Sequence, residues 1–138
     1  MNKINVLSVV LLLASIVFFS SSFVSNYETS EISKEELVGT WVYKSYKDGF
    51  TNYSRSKDFK SNKPGYKFNA DGTLIKRMDP DYCMTVKGPY ANTKGTWEIL
   101  EGNVISISYE CYNGSTTSTY IFKDLSKKKF SMKSFKKK

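Results

Sequence analysis

The chain has 138 residues, with 21 lysines and arginines against 13 aspartates and glutamates, a formal net charge of +8, no histidine and two cysteines. That length accommodates one domain with a leader rather than two hydrophobic cores, and 15% aromatic residues exclude a disordered composition. The lack of histidine excludes His-based general-base catalysis and His-ligated metal sites, and two cysteines are too few for a zinc site of about four thiolates.

The first 22 residues have the pattern of a secretory signal peptide. Lys3 is the only charged residue before Glu28, and residues 6–19 form an apolar run that is interrupted only by Ser8 and Ser15 and that further serines follow. A basic start, an apolar core and small residues are typical of a signal peptide, and the run is shorter than the ~20 residues that span a bilayer. We expect cleavage after Ser22, export to a periplasm or the medium, and no stable membrane anchor afterwards. An uncleaved anchor is the alternative.

Residues 23–36 are predicted to form a linker that ends in one helical turn. Ser33 followed by Glu36 matches a capping box, in which each side chain satisfies a backbone N–H at the start of a helix. Gly39 and the alternating stretch beyond it limit the helix to this single turn.

From Thr40 onward the apolar residues recur with a period of two, which indicates short β-strands. This pattern assigns residues 37–135 to one β-domain and leaves residues 136–138 as a basic tail. Turn residues divide the domain into about eight predicted strands, at residues 41–46, 50–55, 66–69, 73–78, 95–100, 104–112, 116–124 and 130–132. Tight turns favour a sequential antiparallel meander, and an even number of strands lets the eighth pair with the first and close a small up-and-down β-barrel.

Cys83 and Cys111 are expected to form a disulfide, because an even number of cysteines would survive cleavage into an oxidising compartment. Cys83 falls in an excursion predicted over residues 79–93, and Cys111 falls at the end of the sixth strand. The fourth and sixth strands of a meander run the same way, which places both cysteines at one end of the barrel. If residues 82–87 were a full strand, the cysteines would lie about 20 Å apart, too far to bond. Two buried free thiols are the alternative.

Short motifs follow one another in a fixed order along these strands: Leu37-x-Gly39-x-Trp41, Tyr66-x-Phe68-x-x-Asp71-Gly72-Thr73 and Gly95-Thr96-Trp97. This order resembles the small lipocalin-like domains of exported bacterial proteins, over roughly residues 37–132. The resemblance implies a barrel with a smaller cavity than that of a full-sized lipocalin, and it implies that Trp41 packs across one end. In lipocalins an arginine near the last strand contacts this tryptophan, whereas here that region carries only lysines, at 127–129 and 133.

The barrel interior is the first candidate for a functional site. Period-two alternation turns aromatic and aliphatic side chains inward, and an eight-stranded barrel is either filled by its side chains or holds one small ligand. A pocket for a small apolar or aromatic molecule, oriented by tyrosine hydroxyls, is the functional interpretation, and a packed core is the alternative. The predicted ligand-binding residues are Trp41, Tyr43, Tyr66, Phe68, Trp97, Ile107, Tyr109, Tyr120 and Phe122.

The lysine clusters of this basic protein are the second candidate. They comprise Lys57, Lys60, Lys63, Lys127, Lys128, Lys129, Lys133, Lys136, Lys137 and Lys138. Such clusters attract anionic partners, such as lipid head groups or acidic polysaccharides, and export argues against a nucleic acid. Nearby Tyr46, Tyr53 and Phe59 are expected to be exposed, where they would stack on sugars. A solvated surface with a charged tail is the alternative.

No catalytic site, metal or cofactor is expected. The acidic residues considered for a pair of catalytic carboxyls, as in a glycosidase, or for a calcium site are Asp79, Asp81, Glu98 and Glu110. Only the first two are close in sequence. Asp and Pro are ordinary turn residues, and two acids fall short of the six to eight oxygens that calcium takes. We therefore expect an exported, non-enzymatic protein that binds a small molecule. A module that binds an anionic polymer or a partner protein through its lysine-rich face is the alternative.

Overall fold

The computed structural model describes residues 31–83 and 89–135, without the side chain of Tyr82. The predicted signal peptide, residues 23–30 of the linker and the tail at 136–138 lie outside the described residues, as do residues 84–88 of the predicted excursion. Within the described part, no helix has the length and apolar character needed to cross a membrane.

One helical turn, α1 (Lys34–Leu37), precedes the strands. The strands are β1 (Gly39–Lys47), β2 (Phe50–Ser56), β3 (Gly65–Phe68), β4 (Thr73–Met78), β5 (Ala91–Glu101), β6 (Val104–Cys111), β7 (Gly114–Lys123) and β8 (Lys129–Ser134). All eight predicted strands are confirmed. The predicted excursion is too long, because β5 already begins at Ala91 and pairs there with Met78 of β4.

The turn α1 forms where the sequence predicts it, but the capping box does not. The Ser33 hydroxyl donates to a carboxylate oxygen of Glu35 at 2.6 Å and makes no hydrogen bond to the backbone of the turn. A neighbouring acid thus competes successfully for the hydroxyl that the pattern assigned to the helix start.

The eight strands close into one antiparallel barrel, which confirms the fold class predicted from the sequence. From β3 to β8 each strand pairs with the next along the chain, but β1 lies between β2 and β3, and β2 pairs with β8. The expected pairing of β8 with β1 is therefore wrong. Both β2 and β3 run antiparallel to β1, so they run parallel to each other, and no tight turn can join two such strands.

Residues 57–64 form the longer connection that lets β2 and β3 flank β1. The Tyr43 backbone N–H donates to the Pro64 carbonyl oxygen at 2.9 Å, which ties the end of this loop to β1. Val42 alternates with Trp41 and points out of the barrel, yet only 6% of its surface is exposed. The loop therefore covers the outer face of β1.

Trp41 closes the barrel at the end next to α1, as the resemblance to lipocalins implies. Its side chain is fully buried, and its Nε1 donates to the Leu37 carbonyl oxygen at 2.7 Å. The Arg55 guanidinium lies 4.3 Å from the centre of the Trp41 ring. Arg55 also donates to the carbonyl oxygens of Glu36, Val38 and Lys127, at 2.6 to 2.8 Å.

The arginine that the last strand lacks is thus supplied by β2. Arg55 pairs directly with Trp41 across the β1–β2 ladder. Because β2 stands between β8 and β1, it occupies the place that the final strand of a simple meander would take. The exchange of strand order therefore places Arg55, rather than a residue near β8, over Trp41.

The predicted disulfide is confirmed. Cys83 and Cys111 are bonded, with their Cα atoms 4.8 Å apart. The Tyr112 backbone N–H donates to the Cys83 carbonyl oxygen at 2.9 Å, next to the bond. Together these contacts attach the β4–β5 connection to the end of β6.

Candidate ligand-binding site

Most of the aromatic and aliphatic side chains that point into the barrel fall into two groups. The first group, which we call the apolar end, lies next to α1 and is fully packed; it comprises Leu37, Trp41, Phe68, Leu74, Trp97, Ile105, Ile107, Phe122 and Phe130. The second group, which we call the tyrosine cluster, lies toward the opposite end; it comprises Tyr43, Tyr53, Tyr66, Tyr109 and Tyr120. All nine residues predicted to face the interior belong to one of these groups, and their role as ligand contacts stays a prediction.

Tyr53 is the member of the tyrosine cluster that sequence reasoning missed. It is only 7% exposed, so the prediction of an exposed aromatic residue on a polar strand is wrong. The β1–β2 hairpin begins with Lys47 opposite Phe50, and an unbroken register would place Tyr53 opposite the outward-facing Lys44. A bulge between Tyr43 and Ser45 shifts the register by one residue and turns Tyr53 inward.

The rings of the cluster contact one another mostly edge to face. The Tyr53 ring centre lies 5.6 Å from that of Tyr66 and 6.5 Å from that of Tyr43. Burial raises the pKa of Tyr53 and of Tyr66, and the neighbouring Tyr120 phenol raises both further. Their hydroxyls therefore stay neutral at physiological pH and can both donate and accept hydrogen bonds.

Two pockets open from the tyrosine cluster to the surface, and Tyr53 and Tyr66 form part of the wall of each. The first, of about 450 Å³, is completed by Tyr46, Gly49, Thr51, Tyr120, Met132, Lys133 and Ser134. The second, of about 400 Å³, is completed by Pro64, Gly65, Lys76, Arg77, Met78, Asp79 and Tyr90. Both volumes exceed the ~300 Å³ at which pockets for small molecules begin.

Lys76 is a cation that points into the barrel. Its neighbours two residues away, Leu74 and Met78, are buried, and its ladder partners Tyr66 and Thr93 are buried as well. The Lys76 Nζ lies 3.6 Å from the centre of the Tyr109 ring. Burial lowers the pKa of Lys76 from its usual 10.5 to about 8, so the amine still carries its charge at neutral pH.

Sequence reasoning did not single out Lys76, although a signal was present. The alternation of β4 places Lys76 on the same face as Leu74 and Met78, which are both apolar. A lysine at the centre of an otherwise apolar face is the pattern of an inward-facing cation. It was overlooked because lysines are abundant in this chain and usually lie at the surface.

The two other charged residues of the second pocket are held by the protein itself. Arg77 donates to the carbonyl oxygens of Lys60 and Ser61, at 3.1 and 2.9 Å, and to Asn92 Oδ1 at 3.1 Å. The Asp79 carboxylate accepts from the Asp81 backbone N–H at 3.1 Å and caps the short 3₁₀ turn Pro80–Tyr82. The predicted turn role of these two acids is thereby confirmed.

A third pocket, of about 360 Å³, lies on the outer surface against the loop 57–64. Four cations line it, together with Val42, Tyr43, Ser54 and Ser56; the cations are Lys44, Arg55, Lys60 and Lys63. The structure thus brings two of the predicted loop lysines together with a lysine of β1. The other described lysines of the predicted clusters, at 57, 127–129 and 133, are exposed.

Comparison with known proteins yields no match, whether against family models, curated proteins or solved structures. The architecture therefore rests on the strand pairing itself. A closed antiparallel barrel of eight strands, preceded by one helical turn, is consistent with a lipocalin-like fold.

Proposed function

We propose that this chain is an exported, non-enzymatic binding protein that holds a small apolar or aromatic molecule at the tyrosine-rich end of a lipocalin-like barrel. The observation that carries this proposal is the pair of pockets, of about 450 and 400 Å³, that share Tyr53 and Tyr66 as walls. Pockets of this size, walled by aromatic rings and a few polar groups, are typical of small-molecule sites.

The chemistry of the walls suits a flat ligand. Tyrosine rings offer faces and edges for contact with an aromatic body, and their hydroxyls give direction through hydrogen bonds. Met132 adds an adaptable apolar surface to the first pocket. The apolar end, in contrast, is filled by its own side chains, so a ligand would occupy only the outer half of the barrel.

Export is supported by two independent features. The first 22 residues have the pattern of a signal peptide. The disulfide Cys83–Cys111 is of a kind that persists in oxidising compartments and is rare in the cytosol. N-terminal sequencing of secreted protein tests this part of the proposal: we expect a start near Phe23, and a start at Met1 would contradict it.

Binding is tested with the neutral fluorescent probe N-phenyl-1-naphthylamine. We expect its fluorescence to rise on saturable binding to the wild-type protein. Ser134 lines the first pocket on its open side, so Ser134→Trp should fill the pocket and weaken binding about tenfold or more. Thr96→Trp, which places the same ring on the exposed outer face of β5, is the matched control and should bind normally.

Two results would contradict the proposed binding function. One is the absence of saturable binding to the wild-type protein. The other is the same binding by Ser134→Trp and Thr96→Trp, whether both keep it or both lose it, because either result would show that the probe signal does not report the first pocket. If binding is observed, native mass spectrometry of the secreted protein with its co-purified small molecules would identify the physiological ligand.

The third pocket favours a second candidate function, binding of an anionic polymer or an acidic partner at the outer surface. Lys44, Lys60 and Lys63 line this pocket, and clustered cations attract polyanions. Retention on immobilised heparin should then fall in Lys60→Gln/Lys63→Gln and should be lost in high salt. A matched Lys127→Gln/Lys128→Gln variant distinguishes this pocket from general positive charge.

A further inference from the structure

Lys76 lies in a position where a cation is costly. It faces the barrel interior between Tyr66 and Thr93 on the neighbouring strands, and it forms part of the wall of the second pocket. An ammonium group removed from water is destabilising unless a counter-charge or hydrogen bonds replace its hydration. The Tyr109 ring, 3.6 Å from the Nζ, covers one side of the group.

No carboxylate of the described chain offsets this charge. Burial lowers the pKa of Lys76, and no described acid contributes an opposing effect. Asp79 shares the pocket, but its carboxylate is bound to the Asp81 backbone. Residues 84–88, which belong in sequence to the connection between β4 and β5, include no aspartate or glutamate.

The charges around the tyrosine cluster favour an anion. The linings of the two pockets together include Lys76, Arg77 and Lys133 against the single acid Asp79. Arg77 is occupied by three hydrogen bonds within the protein, and Lys133 points away from the barrel on the exposed face of β8. Among the described residues, Lys76 is therefore the cation available to a molecule inside the barrel.

We infer that the ligand of this barrel is a small organic anion, an aromatic molecule that bears a carboxylate or a similar acidic group, and that the Lys76 ammonium pairs with that group. The inference rests on the proposed binding function and specifies its ligand class. The tyrosine rings of the cluster would contact the aromatic body of the ligand. The ligand would supply the counter-charge that the described residues do not provide.

The test uses N-phenyl-1-naphthylamine as a reporter and displaces it from the purified protein with two competitors of the same size. 2-Naphthoate carries the acid, and 2-naphthamide is its neutral counterpart. For the wild-type protein we expect 2-naphthoate to displace the reporter at a concentration about ten to a hundred times lower, as for a hydrogen bond between charged groups. This comparison requires no variant.

Three variants then assign the preference to a residue. Lys76→Met keeps the length of the side chain and removes its charge, so the acid and the amide should compete about equally. Lys76→Arg keeps the charge and should retain most of the preference. Lys67→Met removes a charge from the exposed outer face of β3 and should leave the preference unchanged.

The outcomes separate the two proposals. If the reporter binds but the acid displaces it no better than the amide, the anion inference is wrong and the binding function stands. If the acid is preferred equally in wild type and in Lys76→Met, the pairing with Lys76 is wrong. If the reporter does not bind the wild-type protein at all, the binding function fails, and the inference fails with it.

Discussion

The apolar end and the tyrosine cluster are both rich in aromatic rings, but the polar atoms of the two regions have different surroundings. At the apolar end the indole N–H groups of Trp41 and Trp97 each donate to a backbone carbonyl, at 2.7 and 3.0 Å, and the rings are packed on all sides. At the tyrosine cluster, hydroxyls and an ammonium group border open pockets. The first arrangement stabilises the fold, whereas the second keeps polar groups available at some expense of stability.

The same contrast appears in the two cations that face aromatic rings. Arg55 lies over Trp41, and its guanidinium donates to three backbone carbonyl oxygens of the protein. Lys76 lies against Tyr109 with no such set of acceptors among the described residues. The difference agrees with a structural role for Arg55 and with the ligand-binding role proposed above for Lys76.

The largest effect is expected at the apolar end. Trp41→Ala should lower the free energy of unfolding by about 3 to 5 kcal/mol, because it removes a fully buried ring and leaves a cavity beneath Arg55. Denaturant melts measure this loss. A change within about 0.5 kcal/mol, the range of surface substitutions, would contradict the assignment of Trp41 as a structural residue.

The next largest loss of stability is expected on removal of the disulfide, which lies near the tyrosine cluster. Cys83→Ser/Cys111→Ser should lower the free energy of unfolding by roughly 3 kcal/mol, the value that chain entropy assigns to a loop of this length. Thiol titration of the wild-type protein under denaturing, non-reducing conditions should detect no free cysteine. Detection of two free thiols would refute the bond.

Lys76→Met should have the opposite sign and raise the stability at pH 7 by about 1 to 3 kcal/mol. The folded protein holds the Lys76 proton with a pKa of about 8, below the usual 10.5, so between these values the unfolded chain binds more protons. The free energy of unfolding of the wild-type protein therefore increases as the pH rises from about 8 to 10.5. Over this range the stability difference in favour of Lys76→Met becomes smaller.

Urea melts of both proteins at pH 7 and pH 10 measure this difference. The raised pKa of Tyr53 and Tyr66 lowers the stability of both proteins above pH 10 and cancels in the comparison. A Lys76→Met variant that is less stable than the wild type at pH 7 would show that the Tyr109 ring compensates the charge. The contrast between the two ends would then be weaker than proposed.

The smallest effect is expected from Arg55→Lys, at about 1 to 2 kcal/mol of lost stability. A lysine keeps the charge but cannot bind three carbonyl oxygens in the plane of a guanidinium. Arg77→Lys is the comparison at the other end, because Arg77 also holds backbone carbonyls, on the loop 57–64. Thermal melts that show no loss for Arg55→Lys would contradict its structural role.

Much of this barrel could be predicted from local patterns. The period of two, the Asp-Gly and Asn-Gly turns and the cysteine pair predict the eight strands, their antiparallel closure and the disulfide, because each depends on residues near one another or on a count. The burial of Trp41 and Trp97 follows from the same alternation. These features are determined by the sequence read segment by segment.

The candidate site depends on features that only the tertiary structure decided. A bulge in β1 turns Tyr53 inward, and the loop 57–64 exchanges the places of two strands, so Arg55 rather than a residue of β8 covers Trp41. A bulge changes register without a distinct sequence signature, and strand order is set by the pairing of distant segments. Lys76 shows the same limit. Its strand was predictable, but the lack of a counter-charge for it among the described residues depends on what the surrounding strands place around it.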